Sequence, residues 1–180
     1  MTWFIDVQKV IPYQVHKTVF DLDYEALKKR YSAVMFDLDN TLLPYDNSDI
    51  TSDITALFES LKTLGYQVML VSNSTSSRVK TTADALGVPY IKSAKKPLKK
   101  AFLKALKILN VSAPDTLFVG DQLMTDVYGA NRAGLTPILV RAIKRKSERW
   151  YTRINRKIEQ KMLKKMRHIA PKKAKEIQSL

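Results

Sequence analysis

The sequence predicts an α/β domain with a central parallel sheet and helices on both faces. Short apolar runs of strand character recur at 33–37, 67–72, 89–91, 116–120 and 136–140. Helical patterns fill the gaps between them, and strand–helix alternation of this length is the signature of parallel crossovers. Polar residues also cluster just after the strand runs, where ligands of such sheets bind.

The elements follow in order. Residues 1–32 form a mixed N-terminal segment expected to pack on the core, with Trp3-Phe4-Ile5, Ile11-Pro12 and a short helix over 24–30. Thr51-Ser52-Asp53 caps a helix that places Ile54, Leu57, Phe58, Leu61 and Leu64 on one face and ends at Gly65. A second helix runs over 76–86 to Gly87. A third opens at Pro97, a favoured first-turn residue, and carries Phe102, Leu103, Leu106 and Leu109. A fourth spans 124–133 and stops at Gly134. The core domain thus covers 33–140. The gaps leave no room for a sizeable cap domain. Residues 141–180 form a basic C-terminal helical extension.

Composition narrows the classes of function. The chain has 180 residues, 45% of them hydrophobic, and few Gly and Pro, which fits a globular domain. With no cysteine, disulfides, thiolate catalysis and cysteine-based zinc sites drop out. No window approaches the length of a membrane span and no signal-peptide pattern is seen, so a cytoplasmic protein is expected, peripheral at most. The net charge is +14, unevenly placed. Residues 141–180 hold 15 Lys+Arg against 3 Asp+Glu, whereas the first 140 hold 16 against 14. A near-neutral body with a polycationic tail points to an anionic partner, a membrane surface or a nucleic acid.

Asp37-Leu38-Asp39-Asn40-Thr41 is the most specific motif. Side chains two apart in an extended segment point the same way, so Asp37 and Asp39 meet where the first strand run ends. Carboxylates that close need a cation or a hydrogen-bond network. Ser72 and Asn73 end the second run, and Gly120-Asp121 ends the fourth, with Asp126 five residues on. Lys96 lies beside the start of the third helix, with Lys92, Lys95, Lys99 and Lys100 as rivals. An oxygen-ligated metal together with donors for phosphate oxygens explains the set. A plain polar turn would explain Asp39-Asn40-Thr41, a helix cap Asp126, and a strand end Ser72, each alone. His16 and His168 have no metal-ligand neighbours in sequence and read as surface residues, and Tyr45 as an ordinary loop aromatic.

These motifs, in this order, resemble the haloacid-dehalogenase (HAD) phosphohydrolases. The short gaps resemble the cap-less type III branch of that family. Ile11-Pro12, Phe20-Asp21-Leu22-Asp23 and the stretch from Gly120 to Asp126 are similar to its YqeG-type subfamily, which includes phosphatidylglycerophosphate phosphatases. The resemblance implies a Rossmann-like HAD fold and a Mg²⁺-dependent phosphomonoesterase. In that family pattern Asp37 is the nucleophile that forms an aspartyl-phosphate, and Asp39 is the general acid and base. Mg²⁺ is held by the Asp37 carboxylate, the Asp39 backbone carbonyl and Asp121. Ser72, the Asn73 backbone N–H and Lys96 hold phosphate oxygens, and Asp126 steadies Lys96 or a metal-bound water.

The tail has its own pattern. Trp150, Ile154, Ile158, Met162 and Met166 recur every four residues on a helix that is otherwise rich in Lys and Arg. Pro171 is expected to end that helix, leaving 172–180 frayed. A basic amphipathic helix of this kind suits an anionic membrane surface. The competing reading is that the stripe packs on the protein's own sheet or on a second subunit. Two further readings stay open: a HAD phosphatase acting on nucleic-acid ends or soluble esters, and a non-catalytic HAD-fold protein that binds RNA or ribosomes.

Overall fold

The computed structural model describes residues 5–47, 49–143 and 150–180, with side chains in the last stretch from Ile158 onward. Six parallel strands form one sheet in the order β1-β6-β5-β2-β3-β4. They are β1 (Gln14–His16), β2 (Ala33–Phe36), β3 (Gln67–Val71), β4 (Tyr90–Ile91), β5 (Thr116–Gly120) and β6 (Thr136–Val140). The helices are α1 (Tyr24–Lys28), α2 (Ser52–Thr63), α3 (Arg78–Leu86), α4 (Lys99–Leu109), α5 (Tyr128–Ala133), α6 (Trp150–Ile169) and α7 (Pro171–Gln178).

Strand alternation divides the core. Val34, Phe36, Val68, Leu70, Leu117 and Val119 pack on one face against Ile54, Phe58 and Leu61 of α2 and Val79 and Ala83 of α3. Ala33, Met35, Met69, Val71 and Phe118 point the other way, onto Phe102, Ala105 and Leu106 of α4 and Ala130 of α5. The central strands are buried on both sides, which is why they read as unbroken apolar runs. Gly129 permits the α4–α5 contact, because a Cβ there would lie 2.7 Å from the Phe102 ring.

The fold corrects several expectations. The sheet gains β1, paired in register with β6 (Val15 with Leu139). This strand is short and only half-buried, so it lacks the apolar run that marks the others. Half-buried His16, whose ring nitrogen lies 2.9 Å from Gln14 Oε1, is therefore part of the sheet rather than a free surface residue. The third helix begins at Lys99, with Leu98 as its N-cap, and Pro97 precedes it after a cis peptide bond. The fourth helix opens with a π-helical turn, Leu123–Val127, before α5.

The tail departs furthest from expectation. Pro171 ends α6 but also occupies the first turn of α7, where its missing N–H costs nothing. Ala174 and Ile177 of α7 are buried, so the last residues are not frayed. With Met162 and Met166 they pack on Val10, Leu123, Met124, Val127 and Leu139 in a third apolar cluster. From Ile158 onward the stripe thus faces the protein's own body; the side chains of Trp150 and Ile154 lie outside the described residues. Lys161, Lys164, Lys165, Arg167, Lys172 and Lys175 are exposed on the other side. No helix among the described residues is long and apolar enough to cross a membrane.

Glu159 makes a further tail contact. It is only 5% exposed, and its Oε1 accepts the Met124 backbone N–H at 3.2 Å. The tail thereby braces the turn between Asp121 and Asp126. Two stability predictions follow from this packing. Met166→Ala should cost about 2–5 kcal/mol in urea unfolding, the usual cost of a buried Met→Ala change; a loss below about 0.5 kcal/mol would mean that α6 is not docked. Glu159→Ala should cost about 1–3 kcal/mol by orphaning a buried N–H. Glu159→Gln keeps an acceptor and should recover much of that loss.

Candidate active site

β2 lies between β3 and β5, so the chain leaves it in one direction and later returns on the other side. A crevice opens at such a reversal, beyond the carboxyl ends of the strands. Asp37 continues the ladder one residue past β2, with its N–H donating to Val119 O at 2.9 Å. The chain then folds back. Asn40 takes a left-handed conformation (φ 63°), and the N–H groups of Thr41, Leu42 and Leu43 all donate to Leu38 O. An asparagine tolerates this conformation better than most residues. Asp121 follows β5, the neighbouring strand, so two carboxylates from distant parts of the chain reach the same crevice.

Lys96 is the hub. Its ammonium donates to Asp37 Oδ1 at 2.6 Å and to Asp126 Oδ1 at 2.7 Å. Among the five lysines between 92 and 100 it alone is buried, which settles which of them enters the crevice. Burial alone would lower its pKa, but Asp126 and Asp37 together outweigh this and raise it, so the side chain stays charged. The Asn73 side chain clasps the Lys96 peptide from both sides: Lys96 N–H donates to Asn73 Oδ1 at 2.7 Å, and Asn73 Nδ2 donates to Lys96 O at 3.1 Å. Ser72 is fully buried, and its Oγ accepts the Ser74 N–H at 3.0 Å, which leaves the hydroxyl proton to donate elsewhere.

Asp126 folds back over the end of β5. Its Oδ2 accepts the Gln122 N–H at 3.0 Å, and Gly120 makes room for it, since a Cβ there would sit 2.5 Å from the Asp126 carboxyl carbon. Thr41 Oγ1 stands 3.5 Å from both Asp37 Oδ2 and Asp121 Oδ1. The crevice is small, about 20 Å³, with Tyr45, Gln122 and Thr125 on its walls.

The carboxylates suit a divalent cation. Ligand oxygens of Asp37, Asp121 and Asp126 lie within 4.8 Å of one another. Opposite oxygens around Mg²⁺ stand about 4.2 Å apart, twice the usual ligand distance, so small side-chain shifts would close the cage. Asp37, Asp39, Asp121 and Asp126 are all buried, with Lys96 bonded to Asp37 and Asp126 and Arg78 to Asp39. Such a gathering of buried acids suits a divalent ion. Burial pushes the Asp37 pKa from 3.8 up to about 6; Lys96 opposes the rise and the nearby Asp126 adds to it.

The sequence reading gave Asp39 to the metal through its backbone carbonyl and Asp126 to Lys96 or a metal-bound water. Asp126 does receive Lys96, and its carboxylate also lies near those of Asp37 and Asp121. The Asp39 side chain pairs with Arg78. Arg78 is the site residue the sequence reading missed. It also donates to Pro44 O at 2.8 Å and Asn47 O at 2.7 Å, and so ties the loop after β2 to α3. A lone arginine at a helix start carries no motif, and only the fold brings it to Asp39. Tyr45, read as an ordinary loop aromatic, lies on the wall of the crevice.

Known proteins share this arrangement of elements. Residues 44–134 match the model of the haloacid dehalogenase-like hydrolase family, a stretch that begins just after the Asp37–Thr41 motif. A Bacillus subtilis protein named "Probable phosphatase YqeG" is 38% identical over 154 residues, covering 85% of this chain and 89% of that protein. Phosphatidylglycerophosphate phosphatase 1 of Arabidopsis thaliana is 28% identical over 171 residues, covering 89% of this chain; the chain spans about half that protein's length, 49%. Among solved structures, a subfamily III A hydrolase of the HAD superfamily from Legionella pneumophila superposes with a TM-score of 0.52 over 67% of this chain and 70% of that one, a likeness of fold alone at 19% identity. The chain therefore belongs to the haloacid dehalogenase-like hydrolases and is one of their phosphatases.

Proposed function

We propose that this phosphatase is Mg²⁺-dependent, works through an aspartyl-phosphate on Asp37, and takes phosphatidylglycerophosphate as substrate, releasing phosphatidylglycerol. The observation that carries the chemistry is the desolvated Asp37 carboxylate, held at 2.6 Å by a buried Lys96 and set beside Asp121. An Asp37 oxygen attacks phosphorus in line with the ester bond, which breaks toward the leaving oxygen. Asp39 gives that oxygen a proton, then takes one from the water whose oxygen attacks phosphorus in the second step. The acyl-phosphate bond breaks, phosphate departs and the Asp37 carboxylate is restored. Ser72 and Lys96 meet the negative charge that builds on the equatorial oxygens. Asp37 and Asp121 would hold Mg²⁺, which when bound neutralises charge between carboxylate and phosphoryl group. Asp126 keeps Lys96 in place.

The lipid substrate rests on relatives and on shape. A YqeG protein and a phosphatidylglycerophosphate phosphatase align with most of this chain. No lid domain interrupts the described residues, and an open rim suits a phosphate at a bilayer surface. The exposed lysines and arginine of α6 and α7 would add attraction to an anionic membrane.

Phosphate release from p-nitrophenyl phosphate with Mg²⁺ should vanish on chelation and fall by more than about 10³-fold in Asp37→Asn. Retained activity in that variant would exclude Asp37 as the nucleophile. Because its folded-state pKa lies above 3.8, at about 6, Asp37 keeps its proton to a higher pH in the metal-free folded protein than in the unfolded chain. Raising pH through that range therefore costs metal-free stability, and a bound cation relieves the cost. The rise in Tm on adding Mg²⁺ should consequently be larger at pH 7.5 than at pH 5. An equal or larger rise at pH 5 would contradict this site.

A further inference from the structure

The phosphoryl crevice is too small for a whole substrate. At about 20 Å³ it holds roughly one water-sized body, so the leaving group must lie elsewhere. A groove of about 490 Å³ begins at the same loop, lined by Lys17, Phe20, Thr41, Arg141, Ile143 and Leu180 among others. That volume lies in the range of small-molecule sites, about 300–1,000 Å³. Thr41 lines the groove, and its hydroxyl also stands 3.5 Å from Asp37 Oδ2 and Asp121 Oδ1. The groove is also tied to the catalytic loop through the backbone: Ile143 N–H donates to Asn40 O at 3.0 Å, and Arg141 N–H to His16 O at 3.2 Å.

We propose that this groove is the binding site for the rest of the substrate, a leaving group with a second, phosphodiester-type negative charge followed by an apolar segment. This rests on the phosphatase reading above and adds the residues that would choose among phosphomonoesters. Among the described residues, its lining side chains include the cations Lys17 and Arg141 and no Asp or Glu. Phe20 and Ile143, each 50% exposed, and Leu180 supply apolar surface beside them. The groove next to β1 makes the contrast: about 560 Å³ in volume, its lining sets Asp21, Asp23 and Glu176 against the single cation Lys173 and includes no residue of the catalytic loop. A second phosphate would meet more negative charge there than here.

The spacing suits such a molecule. Arg141 follows β6, two strands from β2, or about 10 Å across the sheet at the usual strand separation. A glycerol-sized spacer together with the reach of the arginine side chain bridges that distance. Arg141 and Lys17 are then specificity-determining residues, remote from the bonds that break.

The test compares kcat/KM for three phosphomonoesters with Mg²⁺: glycerol 3-phosphate, the deacylated glycerophosphoglycerol phosphate, and dihexanoyl phosphatidylglycerophosphate kept below its micelle concentration. The wild-type protein should rank them in rising order, the second exceeding the first through charge and the third exceeding the second through the apolar groove. Arg141→Gln and Lys17→Gln should each cut the ratio of the second substrate to the first by about tenfold, the scale of a charge-assisted hydrogen bond, with Tm unchanged. Arg141→Lys should restore part of the ratio. An unchanged ratio in both variants, or an equal fall on all three substrates, overturns the groove while leaving the phosphatase intact. A wild-type protein that hydrolyses none of the three with Mg²⁺ overturns the phosphatase reading, and the groove with it.

Discussion

One buried ammonium organises the site. Lys96 bonds at once to Asp37 from the strand after which the chain reverses and to Asp126 from the turn after β5. Two carboxylates placed this close would repel strongly in a desolvated crevice, and the lysine makes their approach tolerable. Much of the surrounding structure keeps it there. Asn73 clasps its peptide, Phe118 places an aromatic face 5.0 Å from its charge, and Gly120 leaves space for the carboxylate that receives it. The buried oxygens of Asp37, Asp121 and Asp126 lie close enough together to receive a divalent cation.

The tail links this centre to the rest of the molecule in a way its charge does not suggest. A polycation reads naturally as a surface-seeking arm, yet Met162, Met166, Ala174 and Ile177 turn inward, and Glu159 reaches the turn that bears Asp126. The tail thus exposes its lysines on one side and steadies the active site with its buried side.

How much could be read in advance follows from where the information is local. The core strands were legible because parallel strands buried on both faces leave continuous apolar runs, and Asp37, Ser72 and Asp121 because they follow those runs directly. β1 was not legible: Gln14-Val15-His16 is three residues of mixed polarity, and only its pairing with β6 makes it a strand. Asp126 and Arg78 illustrate the same limit at the site. Whether Asp126 caps a helix, braces a lysine or joins a metal cage depends on a fold-back over Gly120 that spacing alone does not encode. Arg78 finds Asp39 only through the packing of α3. Pro171 was legible as a helix end, but its second role as a helix start depends on Ala174 and Ile177 finding an apolar surface contributed by distant residues.

The central claim is that an Asp37 oxygen becomes bonded to phosphorus during turnover. Quenching the working enzyme with borohydride, which reduces an acyl phosphate to an alcohol, and mapping the peptides by mass spectrometry tests this directly. The account predicts homoserine in place of aspartate at position 37, dependent on both substrate and Mg²⁺. Homoserine at Asp39 or Asp121 instead, or none in an enzyme that is turning over, would contradict it.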